Sequence, residues 1–188
     1  SFARLSAEPS SVSNRGTEYD LGIGIRIGWI GELRPGLRLG AQYTSRNWVT
    51  GSDEYDGLVA GASFDAPPQW SVGVSWDATP KLTLATDFQR ILFGDIDALA
   101  NPGPTPAEIA GIIGAGRRLG ADDGIGFGWI DQSVFKLGSR YAWNERLTLR
   151  AGWNHASSQI PNRESLINVA APATINDNAG IGASWRFT

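Results

Sequence analysis

The chain has 188 residues and a formal net charge of −3, enough for one domain and too evenly charged to indicate a nucleic-acid partner. It has no cysteine, which excludes disulfide staples, thiol catalysis and cysteine-held metal, and which fits an oxidising compartment such as a bacterial envelope. No run of about 20 apolar residues occurs, so any crossing of a membrane must be made by strands closed into a barrel.

The first patterned segment is 19–29, where Tyr19, Leu21, Ile23, Ile25, Ile27 and Trp29 alternate with Asp20, Gly22, Gly24, Arg26 and Gly28. A period of two sets an apolar face against a small or charged one. The length suits a tilted membrane strand of about 9–11 residues. A tight turn over 31–36, containing Arg34-Pro35-Gly36, leads to a second strand with Leu37, Leu39, Ala41 and Tyr43 on one face. The same unit recurs at Trp70, Val72, Val74 and Trp76, a turn at 77–80, then Leu82, Leu84 and Phe88. It recurs again at Phe135, Leu137, Tyr141 and Trp143, a turn at 144–146, then Leu147, Leu149, Ala151 and Trp153. A last strand carries Ala179, Ile181, Ala183, Trp185 and Phe187. The pattern predicts about seven full strands in hairpin order, with a strand stub from Phe2 to Leu5 and a loop before them.

The connections are unequal. Short turns at 31–36, 77–80 and 144–146 contrast with long stretches at 47–69, 91–128 and 156–175. Short turns on one side and long loops on the other mark an outer-membrane β-barrel, with the short side facing the periplasm. Tyr19, Trp29, Trp70, Trp76, Trp129, Tyr141, Trp143, Trp153 and Trp185 fall at strand ends, where membrane interfaces favour amphipathic rings. A soluble antiparallel barrel also alternates, with the apolar set turned inward; loop asymmetry and the aromatic girdle favour the membrane reading. The predicted fold class is thus all-β, an antiparallel up-and-down transmembrane barrel, as a single domain over 1–188.

If the apolar face meets lipid, the lumen is lined by Arg26, Arg38, Gln42, Asp87, Gln89, Lys136, Arg140, Arg150 and Arg186, with Asn154 and many glycines between them. The excess of cations suits a carboxylate, which arginine holds through two parallel hydrogen bonds. The bland alternative is a lumen network paired with its own acids and with a plug.

The longest loop, 91–128, carries Leu92, Phe93, Ile96 and Leu99 as an apolar patch. Thr105-Pro106-Ala107-Glu108 is a capping box with proline at the first helical position, so a helix is predicted with Ile109, Ile112 and Ile113 on one face and an end near Arg117, Arg118 and Gly120. These seven apolar residues are the candidate capture groove for a hydrophobic ligand; the alternative is a lid packed on the other loops. The glycine runs at 111–116 and 124–128 lack a βαβ setting and do not predict a nucleotide loop. Asp53, Glu54, Asp56, Asp95, Asp97, Asp122 and Asp123 read as solvated loop charge, so no metal and no cofactor is predicted. The one histidine, His155, lies near Ser157 and Ser158 at a strand end and reads as an interfacial residue, leaving no catalytic residue predicted.

Four segments resemble the FadL family of outer-membrane long-chain fatty acid transporters, which includes aromatic-hydrocarbon channels. They are 19–29 with Arg34-Pro35-Gly36-Leu37-Arg38-Leu39-Gly40; Gly61-Ala62-Ser63-Phe64-Asp65-Ala66-Pro67-Pro68; Leu82-Thr83-Leu84-Ala85-Thr86-Asp87-Phe88-Gln89-Arg90; and Gly126-Phe127-Gly128-Trp129-Ile130-Asp131 with Lys136-Leu137-Gly138 and 147–152. The resemblance covers nearly the whole chain and implies a fourteen-stranded barrel with an N-terminal plug. It implies capture of a hydrophobic ligand by external loops and sideways release into the membrane. The chain matches only the family's C-terminal part and lacks methionine even at position 1, so it is expected to be a processed chain or a piece of a longer one. The other expectation is a small eight-stranded barrel, closed through the N-terminus and filled by its own side chains, with a structural or adhesive role. The expected partners are membrane lipid, lipopolysaccharide and a hydrophobic small molecule, and the expected location is the bacterial outer membrane.

Overall fold

In a computed structural model, the structure describes residues 2–17, 19–51, 54–60, 64–110, 116–169 and 171–187, the side chains of Phe2 and Ile109 excepted. Seven strands form one antiparallel sheet in chain order: β2 (Arg26–Arg34), β3 (Leu37–Thr44), β5 (Gln69–Thr79), β6 (Leu82–Ile91), β7 (Gln132–Ala142), β8 (Leu147–Ala156) and β9 (Asp177–Trp185). Two short strands, β1 (Gly22–Ile23) and β4 (Trp48–Val49), pair beyond the β2–β3 hairpin. The sheet is all-β up-and-down, part of a barrel wall that the described residues do not close.

Each short turn has a local cause. Pro35 and Gly36 link β2 to β3; Gly36 adopts φ +79°, which its missing Cβ permits, and its N–H donates to Glu32 Oε1 at 3.0 Å. The Thr79 hydroxyl accepts from Lys81 N at 3.2 Å and Leu82 N at 3.0 Å, closing the β5–β6 turn. Asn144 Oδ1 does the same for Arg146 N and Leu147 N, at 2.9 and 2.8 Å. Register shifts between Glu32 and Arg34, and between Asp77 and Thr79, carry the strands further toward these turns than the sequence suggests.

Two expectations are corrected. Segment 19–29 is not one strand: the ladder breaks at Gly24–Ile25, because Ser45 turns its hydroxyl onto Ile25 N (2.9 Å) and the partner chain swings off to bridge Asn47 to Ala66. Nor is there a strand stub near the N-terminus. Phe2–Arg4 is a 3-10 turn, and Ser6 bridges Leu119 and donates to Gly57 O at 2.7 Å. The N-terminal segment therefore joins the long loops, and eight-stranded closure through it does not form. Seven antiparallel strands also leave β2 and β9 running the same way, so they cannot close on each other in an antiparallel pair.

The three long connections and the N-terminal segment fold over one another into a cap. The cap holds the buried apolar core: Ile96, Ala98 and Leu99, with Val59, Phe93, Phe127 and Trp129 packed around them. Two one-turn helices stand in the cap, α1 (Asp97–Ala100) and α2 (Pro106–Ile109); the predicted capping box is formed at the start of α2, with Thr105 Oγ1 accepting from Glu108 N and the Glu108 carboxylate accepting from Thr105 N. Gly116 to Gly120 is not helical, so the helix end predicted at Arg117–Gly120 is not found there; 111–115 lie outside the described residues. The sheet's apolar face, by contrast, is left uncovered: Ile27, Trp70, Val72, Leu84, Leu137 and Ile181 are all exposed.

Candidate functional site

Register assigns every strand residue to a face. Rows across the polar face read, from the cap downward, Arg26–Thr44–Gln69–Ile91–Gln132; Gly28–Gln42–Ser71–Gln89–Val134–Ala156; Ile30–Gly40–Gly73–Asp87–Lys136–Asn154–Asn178; Glu32–Arg38–Ser75–Ala85–Gly138–Gly152–Gly180; and Asp77–Thr83–Arg140–Arg150–Gly182. The residues between them make the apolar face. Eight of the nine charged and amide residues anticipated for the lumen share the polar face. Arg186 follows β9 by one step, anchored by its N–H on Arg146 O at 2.9 Å.

The polar face is the hollow one. A concavity of about 650 Å³ lies against it, lined by Arg38, Gly40, Gln42, Ser71, Gly73 and Asp87 among others. Three ties organise this wall. Lys136 Nζ donates to Gln89 Oε1 at 2.8 Å, and Gln89 Nε2 donates to Gln69 Oε1 at 2.6 Å. Arg38 pairs with Asp77 at 2.9 Å, and Thr83 Oγ1 donates to the same carboxylate at 2.7 Å. Arg26 Nε donates to Thr44 Oγ1 at 3.2 Å. The Asp87 carboxylate leans over Gly73, where any side chain would strike it. Gln69, Asp77 and Thr83 escaped the sequence reading: Asp77 looks like a turn residue until the bulge returns it to the strand, and Thr83's partner appears only once register is known.

The apolar face is banded. Trp70 and Phe88 pack with ring centroids 5.5 Å apart, and Phe135 with Trp153 at 6.4 Å. Near the cap the face turns polar: Arg90 binds Ser133 Oγ (2.7 Å) and Asp131 (3.2 Å), and His155 Nδ1 lies 3.0 Å from Asp177 while its ring stacks on Trp153. The hydroxyls of Ser157 and Ser158 are engaged by backbone, with Ser133 N and Ile160 O respectively. Among the described residues no group of three or more His, Asp or Glu could hold a metal ion.

The loop residues anticipated for capture divide. Ile96 and Leu99 are buried in the cap core, 1% and 5% exposed. Phe93 packs edge-on to Trp129 at 5.1 Å, and Leu92 is half-buried with its N–H on Pro68 O. Ile109 stands on α2, and Ile112 and Ile113 lie outside the described residues. Among the described residues this patch is thus a packed lid, closed by three polar pins, two of which the sequence did not reveal. Trp129 Nε1 donates to Asn168 Oδ1 at 2.5 Å; Gly103 N donates to the buried Glu164 carboxylate at 2.8 Å. Glu108 is a third pin. Burial opposes its charge, but the N–H groups of Thr105 and Arg117, the Thr105 side chain and the Arg117 guanidinium outweigh burial and hold its pKa at about 2.

A hollow polar wall of up-and-down strands, an uncovered apolar face with aromatic bands, and long capped loops opposite short turns together define the wall of a membrane-spanning β-barrel. The comparisons agree. Residues 4–188 match the family described as outer membrane protein transport protein (OMPP1/FadL/TodX), and the chain belongs to that family. Crystal structures of the Pseudomonas putida toluene transporter TodX share its fold, one at 21% identity and TM-score 0.59 over 89% of this chain and 41% of theirs. A TodX variant described as a monoaromatic hydrocarbon channel aligns at 20% identity and TM-score 0.63. The chain spans 41% of the length of these structures. No curated protein sequence matches it.

Proposed function

We propose that the chain is part of the wall of a bacterial outer-membrane channel for passive entry of hydrophobic small molecules, aromatic hydrocarbons or long-chain fatty acids. The observation that carries this reading is the family match, which runs through all seven strands and the cap loops. The toluene-transporting neighbours favour aromatic hydrocarbons. The packed cap supports a gated form of capture: its apolar core, around Ile96, Leu99 and Phe93, becomes a greasy surface when the lid opens. The basic lower lumen then suits a ligand with an acidic head. Membrane lipid is the partner of the apolar face, and lipopolysaccharide meets its polar rim at Arg90 and His155. Reconstitution of the full-length protein into liposomes tests the reading: entry of toluene and of oleate should rise several-fold over protein-free vesicles. Equal entry with and without protein would remove the transport function.

A further inference from the structure

The lowest of the five rows of the inner wall, which spans β5 to β9, holds two arginines face to face. Arg140 and Arg150 are register partners on β7 and β8, so their Cβ atoms stand about 5 Å apart, an arrangement that repels unless an anion joins them. Among the described residues neither makes an ion pair with a carboxylate, and the Arg140 charge acts on Asp77 only from a distance. Arg150 reaches only the Ser184 hydroxyl, at 2.5 Å, and the one acid of the row, Asp77, is already held by Arg38 and Thr83. A second feature adjoins this pair. The row directly above it begins with Glu32 and Arg38 but is bare from β5 to β9, reading Ser75, Ala85, Gly138, Gly152 and Gly180, and nothing lies within 4 Å of a Cβ placed at Gly138, Gly180 or Gly182. Two guanidinium groups that share no ion pair thus stand under an empty shelf of backbone.

We propose that Arg140 and Arg150 form a carboxylate-binding site at the lower end of the lumen, with the body of the bound group lying on the Gly138–Gly152–Gly180 shelf. One carboxylate between two guanidinium groups converts repulsion into paired charge-assisted hydrogen bonds. The carboxylate comes either from a free acid with an apolar tail, which rests on the channel reading above, or from an acidic side chain of the polypeptide itself, which does not.

The test uses full-length protein in detergent, with dodecanoate and dodecanol as probes of equal tail and different head. If the free acid is the occupant, Arg140→Gln with Arg150→Gln weakens dodecanoate binding about tenfold or more and leaves dodecanol unchanged. If an internal acid is the occupant, the dodecanoate-to-dodecanol ratio stays fixed, each single Gln variant lowers the melting temperature by several degrees, and the Lys variants recover most of the loss. The site is overturned if the ratio stays fixed and the Gln variants melt at or above the wild-type temperature, which is what relief of bare repulsion produces. Failure of dodecanol to bind the wild-type protein counts against the channel reading and leaves the melting comparison intact.

Discussion

Ile96→Ala should loosen the cap and leave the strands alone. Ile96 is 1% exposed at the centre of the cap core. The change removes three carbons beyond Cβ, worth roughly 0.8 kcal/mol each in lost burial. Rigid neighbours, the rings of Phe93, Phe127 and Trp129, line that core and resist collapse into the space. The cavity term then brings the cost to about 3 kcal/mol. Native-state hydrogen exchange reads this directly: amides of Leu99, Ala100 and Asn101, bonded to Ile96 O and Asp97 O, should exchange about 100-fold faster. Amides within β5 to β8 should keep their wild-type rates. Unchanged exchange at Leu99 would refute the cap core as described; equal acceleration in the strands would refute its independence from the sheet.

Thr105→Ala should cost the cap about 1 kcal/mol by removing the N-cap of α2, measured as faster protease cleavage in 97–131. Glu108, held at about 2 against an ordinary 4.5, stabilises the cap fully above pH 4.5; that contribution fades as pH falls from about 4.5 toward 2. Hydrogen exchange of the cap, corrected for intrinsic rates, should therefore show pH-dependent opening in that window, and Glu108→Gln should flatten the dependence. Gly128→Ala should destabilise the cap by about 2 kcal/mol, since φ +67° disfavours a side chain and the new Cβ would strike the buried Glu164; thermal unfolding followed by Trp129 fluorescence checks it.

The strands were legible because each carries its own period. Leu37, Leu39, Ala41 and Tyr43 declare a face with no knowledge of neighbours, and Pro35-Gly36 declares the turn. Their partners were not legible. That Arg140 faces Arg150, or that Asp77 belongs beside Arg38, depends on register, which a bulge shifts without a mark in composition. The cap was half legible. Thr105 and Glu108 announce a helix start through local chemistry, whereas the burial of Ile96 and Leu99 depends on contacts from other loops. An apolar patch in a loop reads the same whether it is exposed or packed. The N-terminal stub failed for the same reason: Phe2 to Leu5 alternates weakly, and the tie of Ser6 to Gly57 and Leu119, far along the chain, decides its place.

Lumen, lipid contact and channel all depend on which face of the sheet meets lipid. The chain has no cysteine, so a single cysteine introduced into it is the only one among these strands. A bimane probe at Val72, Leu84, Leu137 and Ile181, compared with Ser71, Ala85, Gly138 and Gly182, samples alternate faces of four strands. In liposomes of the full-length protein, brominated lipid should quench the first set and leave the second, which aqueous iodide should reach instead. The reverse pattern, or quenching that ignores the alternation, would contradict a barrel wall with a polar lumen.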